Sequence, residues 1–558
     1  MNTGTIIGNI SNPNPSSMLD NRPGALVDAP VTINLGGGQL RNQGTLEVGG
    51  SGKVGQTTIT GNLAQTSTGT LVLDVAPASN TSDHLQVNGT ASLAGRIVPV
   101  VDDPAKLRPG VGQSLNILTA TGGVTQSGTG VALASTPVVQ YKVSATDAND
   151  LALNYNVDYS ASNALQAAGL LSSNRSAVGH ALNTILTSDA PAFSALQSLL
   201  INAATAQNVA TLLDAVSETA AASAQQTAFA AQQAFTSSIS RHVVGETRGS
   251  GTMSPFALAS LDPVTTGPPA NGAGVRVWVG GFGASDVLSG TDGQGSLHSQ
   301  IAGAQLGLDK WFDADRMLGI SVGGGNIDFS TAGGASQGQS TALNLGAYGL
   351  ARFGDGYVSG VLSYGNYGTD QRRIGLLSSV YGPNAVLRGS FNTDVLGGQL
   401  ELGLRRKLGG VTLTPFASLE VDHLWQSNFS QSLYAGNPAA GGLALTFART
   451  QQTSVPLTLG GRVGSAFPVS GGRILELSAE LGWVHEFNPQ RSVMAAFVAA
   501  PNVPFRILGV SASRDAAQTV LDAKLSLTRN VALLGSVAGR FSGVETAIGG
   551  FAGVQVTW

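Results

Sequence analysis

Few residues in this chain are of a type and spacing that could do covalent chemistry. The run GASQG at 334–338 matches G-x-S-x-G, a pattern in which a strand delivers a serine to a sharp turn ahead of a helix, leaving its hydroxyl exposed as a nucleophile. Here it sits in a glycine-rich stretch with no helix-forming run after it, so Ser336 lacks the context of a nucleophile elbow. The run GGSGKVG around Lys53 resembles a phosphate-binding loop, but Val54 stands where Ser or Thr would hold magnesium, and the first glycine is missing. The six histidines, His84, His180, His242, His298, His423 and His485, have neither H-x-x-x-H nor another metal spacing. Asp422 and His423 are adjacent, so on a strand they point to opposite faces and form no dyad. No catalytic residue, metal or cofactor is expected from these patterns.

The ionisable residues that remain recur at alternate positions in strand-like segments: Glu401, Arg405, Glu420, Asp422, Arg462, Glu476, Glu480, Asp522 and Lys524. What positions them is a period of two. In VTLTPFASLEVDH, Val411, Leu413, Ala417, Leu419 and Val421 oppose Thr412, Thr414, Ser418, Glu420 and Asp422. In ILELSAELGW, Leu475, Leu477, Leu481 and Trp483 oppose Glu476, Ser478 and Glu480, and TVLDAKLSLT repeats the arrangement. One face is lipid-like and the other is wet, as in a barrel with an apolar exterior and a polar lumen.

Twelve such segments begin near residues 275, 299, 316, 340, 356, 393, 410, 453, 472, 516, 530 and 547, joined by alternately long and short connections. An even count with that alternation suits an antiparallel outer-membrane barrel, and Trp311, Trp425, Trp483 and Tyr357 near strand ends suit aromatic girdles. A soluble β-sandwich is the competing arrangement of the same strands.

Composition agrees with a wall of this kind. Charged residues are 11% of the 558, against about 25% in ordinary soluble domains, and 75 residues are glycine. No run of 18 apolar residues occurs, so any membrane crossing uses strands, for which a closed barrel is required because every backbone group must be paired. A net charge of −4 without a basic stripe sets nucleic acid aside, and the absence of cysteine removes disulfides and thiolate chemistry. The start, MNTGTIIGNI, has no basic n-region before an apolar run, so no signal peptide is visible and an exported protein would have lost its beginning.

Upstream the texture changes twice. Residues 1–29, with Pro13, Pro15 and Pro23, read as extended or disordered. Residues 30–157 read as short strands cornered by Gly, Asn and Thr, suiting a β-solenoid. Residues 158–245 are rich in Ala, Gln, Ser and Leu and read as helical, with a slender helix from about 211 to 242 that is long enough to thread a pore. Its Gln225, Gln226, Gln232 and Gln233 tolerate a wet lumen, where they could bond the lumenal charges; packing on a neighbouring sheet is the alternative. A Pro/Gly-rich linker, 246–274, leads to the barrel, 275–558.

Taken together, these textures resemble the C-terminal part of a classical autotransporter, the monomeric type V secretion family. GTLVLDVAPASNTSDHLQVNGTASLAGRIVPV and SLNILTATGGV look like the last passenger rungs, LLDAVSETAAASAQQTAF like the entry to the linker helix, and GWVHEF like a late-barrel word. The final GVQVTW, with Val554, Val556 and Trp558 on one face, resembles the family's barrel-assembly signal. The resemblance implies a mainly β fold, a twelve-stranded antiparallel transmembrane β-barrel with a lumenal α-helix, preceded by a short β-solenoid remnant of a passenger. It also implies export of the chain's own N-terminal passenger to the surface of a Gram-negative cell, the helix then plugging the pore. Outer-membrane lipid, the barrel assembly machinery and periplasmic chaperones are the implied partners of a monomeric barrel. Some family members cut themselves at an Asn-Asn pair in the linker, which is lacking here; Asn183, Asn202 and Asn208 stand singly. Two other functions fit a barrel: an esterase or protease barrel, and a plain porin with the helical segment outside it.

Overall fold

The computed structural model describes residues 1–109, 113–126, 132–133, 135–245, 274–291, 294–331, 336–374, 381, 384–528 and 530–557. It comprises two units, Met1–Leu171 with Arg175–Leu213, and Ser172–Asn174 with Asp214–Trp558.

The first unit is a coil of mostly parallel strands. Each strand is too short to bury much by itself, so equivalent apolar residues stack from rung to rung: Ile6 pairs with Val27, then Leu46, Leu71 and Ile97 follow in register. A polar column runs beside this row. Asn2, Asn21, Asn42 and Gln65 hydrogen-bond in sequence at 2.9, 2.8 and 3.1 Å, satisfying amides that are buried at the corner of each turn. The expectation of an extended or disordered start is therefore corrected. Thr5–Ile7, Met18–Asn21 and Leu26–Ala29 are rungs, because their side chains complete the same two columns. Gln113–Ala120, Asp150–Val157 and Val139–Ala145 pair antiparallel at the other end. Beside it, the buried Tyr159 hydroxyl donates to the Leu107 carbonyl at 3.2 Å and accepts from Gln197 at 2.7 Å.

The helical region contains α1 (Ser162–Ala167), α2 (Ser173–Ile185), α3 (Ser194–Ile201), α4 (Ala206–Ser217) and α5 (Ala220–Gly245). The single helix expected over about 211–242 is two helices, broken at Glu218, whose φ of 40° is left-handed. Glutamate is a good helix former, and this conformation costs about 1–2 kcal/mol. The contacts of its carboxylate override the propensity.

The second unit is built on twelve antiparallel strands that close on themselves: β1 (Gly274–Leu288), β2 (Leu297–Trp311), β3 (Arg316–Thr331), β4 (Ser336–Phe353), β5 (Gly356–Arg373), β6 (Val386–Leu404), β7 (Val411–Gln426), β8 (Pro456–Val469), β9 (Arg473–Glu486), β10 (Asp515–Ser526), β11 (Val531–Phe541) and β12 (Glu545–Thr557). β12 closes the barrel against β1, from Leu288 opposite Glu545 to Arg276 opposite Thr557. All twelve expected strands are present, most of them longer than the alternation implied. Ser336 belongs to β4, not to a loop.

Leucines such as Leu343, Leu345 and Leu481 cover the outside, more than 45% exposed, as an exterior made for lipid requires. Trp311 and Tyr357 depart from the girdle expectation. Each falls on the inward parity of its strand and is fully buried. Two of the long connections are structured as well: Phe429–Ser430, Leu445–Phe447, Ser492–Phe497 and Ala500–Leu508 form a four-stranded sheet, with Phe391, Phe429 and Phe447 stacked at 4.4 and 4.5 Å. Of the linker expected at 246–274, only Gly274 lies within the described residues.

Candidate functional site: a helix-filled lumen

Helix α5 occupies the barrel. With 26 residues it is about 39 Å long, more than the thickness of a hydrocarbon core. Its N-terminus lies at the rim of the long connections, where Gln225 donates to Gln426 at 2.9 Å. Its C-terminus lies at the rim of the short turns, where His242 meets Asp309 at 2.8 Å. The chain on the N-terminal side of α5 thus leaves the barrel at the long-loop rim.

Glycine lets the helix in. A Cβ on Gly323 would stand 2.9 Å from Phe235, one on Gly346 would stand 2.7 Å from Ile239, and one on Gly365 would stand 2.3 Å from Gln232. These lumen-facing glycines of β3, β4 and β5 make a smooth strip on which one side of α5 beds, a close approach that explains glycine in strand interiors. Small residues on the helix, Ala228, Ala231 and Ser238, allow the same fit and are buried there.

Polar contacts fix the helix axially. Gln232 donates to Ser363 at 2.7 Å and accepts from Tyr367 at 2.8 Å, while Thr236 meets Ser363 at 3.2 Å. Gln226 accepts from Arg491 at 3.0 Å, and Gln233 accepts from Arg540 at 3.4 Å. Near the short-turn rim the His242 ring stacks on Trp278 at 4.7 Å, and Trp278 donates to Tyr348 at 2.8 Å. At the other rim Glu218 accepts from Ser336 at 2.8 Å and from the Ala220 amide at 3.0 Å, and pairs with Arg373 at 3.3 Å. Arg373 also donates to the Ala215 and Leu443 carbonyls, tying the α4–α5 elbow to the outer connections. Ser336 is thus a hydrogen-bond donor to the Glu218 carboxylate at a strand start.

The lumenal charges lie on the inward face, but most bond the wall and not the helix. Arg462 makes a bidentate contact with Glu401 at 2.7 and 2.9 Å, a contact with Glu480 at 2.5 Å, and a bond to Tyr357 at 2.8 Å. Glu476 stands opposite Lys524 in register, and Asp522 accepts from Ser478 at 3.1 Å. Glu420 and Asp422 share the inner face of β7, and Arg405 follows the end of β6 at the short-turn rim. The four glutamines find Ser363, Tyr367, Gln426, Arg491 and Arg540, partners that alternation does not single out. Glu218, Arg241, His242, Asp309, Arg373 and Arg491 were also missed as contact residues. The one signal for them was the position of Glu218 and His242 at the two ends of the helical stretch. Val554 and Val556 lie in β12, Val554 on the lipid side; Trp558 lies outside the described residues.

Among the described residues no group of His, Asp or Glu is arranged to hold a metal ion. Beside α5, facing the wall from β7 through β12 to β1, lies a cavity of about 180 Å³.

Comparison with known proteins gives the following. The family model described as Autotransporter beta-domain matches residues 277–538. An extracellular serine protease of Serratia marcescens is 29% identical over 258 residues, covering 46% of this chain and 23% of that protein, so the chain spans under a quarter of its relative's length. Among solved structures, the translocator domain of the autotransporter NalP from Neisseria meningitidis has a TM-score of 0.41 at 16% identity, covering 51% of this chain and 88% of that one. The β-domain of the Bordetella autotransporter BrkA has a TM-score of 0.38 at 19% identity, covering 51% and 99%.

Proposed function

Because this chain belongs to the autotransporters and carries their β-domain, we propose that it is an outer-membrane translocator that delivers its own N-terminal passenger to the cell surface and is afterwards plugged by α5. The observation that carries this reading is the direction of the helix. Its N-terminus is at the long-loop rim and its C-terminus at the short-turn rim, and outer-membrane barrels keep short turns in the periplasm and long loops outside. A chain so threaded has its N-terminal part on the outer side.

On this reading residues 30–157 are the end of a passenger, 246–274 a periplasmic linker, and 275–558 the translocator. Val554, Val556 and Trp558 form the address read by the barrel assembly machinery, to which periplasmic chaperones hand the unfolded chain. The barrel itself is not an enzyme; any hydrolytic activity belongs to a passenger. A plain porin is disfavoured because α5 is bedded in the lumen along its length.

The test is topology. With a secretory signal fused ahead of Met1 and an epitope at the junction, intact cells are treated with protease. Loss of the epitope without outer-membrane permeabilisation is expected. An epitope protected until permeabilisation refutes the translocator.

A further inference from the structure

The helix is not centred. Its close packing is on β3 to β6, whereas toward β11 only long side chains reach across, Arg241 to Ser536 at 2.9 Å and Arg540 to Gln233. The space left on that side is the lumenal cavity, lined along the helix from Gln226 to Arg241. The fifteen helical steps between them rise about 22 Å, most of the depth of a hydrocarbon core. A volume of about 180 Å³ is far above the 10–15 Å³ that one water needs.

The lining is polar and unbalanced. Five carboxylates border it, among them Asp286, Glu420 and Glu545, against three guanidiniums, Arg241, Arg462 and Arg540. Asp286 and Glu420 are more than nine-tenths buried, and one oxygen of each, Oδ1 and Oε1, has no hydrogen-bond partner among the described residues. A buried carboxylate oxygen without a donor is costly, and water or a cation on the path offsets that cost. Low-dielectric walls focus the excess negative charge along the path.

We propose that the barrel with its helix in place is a narrow aqueous pore that favours small monovalent cations, conducting along the crescent between α5 and the wall that runs from β7 through β12 to β1. The pore rests on the reading of the barrel as membrane-spanning. Conduction needs no departure of the helix, and Asp286 and Glu420 set the selectivity.

The full chain, refolded and incorporated into vesicles, is first checked for flotation with lipid and for heat-modifiable migration. Failure there refutes the membrane reading itself, before the pore is tested. Incorporated protein is then placed in planar bilayers under a KCl gradient. Small steady currents with a reversal potential displaced toward the K⁺ equilibrium value are expected. In Asp286→Asn and Glu420→Gln the displacement shrinks toward zero. Because the chain has no cysteine, Thr236→Cys with Ser363→Cys, whose native hydroxyls are 3.2 Å apart, locks α5 to β5 on oxidation. Current that persists in the locked form supports the crescent path. Current abolished by oxidation and restored by reduction, silence in incorporated protein, or a reversal potential that both charge variants leave unchanged overturns it.

Discussion

Arg462→Met isolates the energetics of the lumen wall. Arg462 is 12% exposed, and its partners Glu401 and Glu480 are 3% and 8% exposed, so the pairing is largely shielded from bulk water although the three residues border the lumenal cavity. Methionine keeps most of the volume and leaves two carboxylates facing each other without a cation. Removing one partner of a buried pair costs about 3–5 kcal/mol, which is roughly 10²- to 4 × 10³-fold in the folding equilibrium at ~1.4 kcal/mol per decade. Arg462→Lys keeps the charge but cannot reproduce the bidentate fork on Glu401 together with the bond to Tyr357, and loses less. The triple variant Arg462→Met, Glu401→Gln, Glu480→Gln removes the stranded charges and recovers most of the loss, because an uncharged replacement of a buried pair is often nearly neutral. The assay is urea unfolding of the detergent-refolded chain, followed by heat-modifiable migration and tryptophan emission. The order expected is wild type, then Arg462→Lys with the triple variant, then Arg462→Met. If Arg462→Met costs under about 1 kcal/mol, the value of a solvated surface pair, lumenal water solvates these carboxylates and the burial argument fails.

Deleting Gln555–Trp558 removes the β12 partners of Arg276, Val277, Trp278, Val531 and Ala532. Even at about 1–3 kcal/mol for each unpaired backbone group, the sum rivals a whole domain's stability of roughly 5–15 kcal/mol, so heat-modifiable barrel should vanish from outer membranes; normal insertion would contradict the closure. A single Trp558→Ser change keeps the strand and should lower insertion in cells more than refolding in detergent. In the first unit, burial pushes the Asp83 carboxyl up to about 7, although it accepts bonds from the Asp74 and Gly55 amides. The folded state therefore holds a proton that the unfolded state has released between about pH 4 and 7, and stability falls as pH rises through that window. Pulse proteolysis in urea at pH 5 and pH 7.5 should show the decline in wild type and a flatter profile in Asp83→Asn; equal slopes would refute it. Ser336→Ala should leave any esterase activity of the preparation unchanged while easing urea unfolding by about 1.5–3 kcal/mol, the value of one hydrogen bond to a charged group, since Glu218 keeps Arg373 and the Ala220 amide; loss of hydrolysis would favour the enzyme reading.

Alternation along the chain determined the barrel. Whether Leu477 or Glu476 faces lipid depends only on strand parity, and parity is local, so the number of strands and the two faces were legible before any contact was known. The same local rule marked α5 as slender and polar. It did not mark where the helix begins, because Glu218 is turned out of helical geometry by Ser336 and Arg373, residues more than a hundred positions away. It placed Trp311 and Tyr357 near strand ends without saying that their rings point inward, and it read the first 29 residues as loose because their partners are rungs further along the chain. Which charges pair, which glycines receive the helix, and on which side of α5 the lumen stays open follow from closure of β12 on β1. That closure sets the register of all twelve strands at once and brings Arg462 across β7 to Glu401. No short window of sequence carries a register, since the energy that selects it is shared around the whole ring.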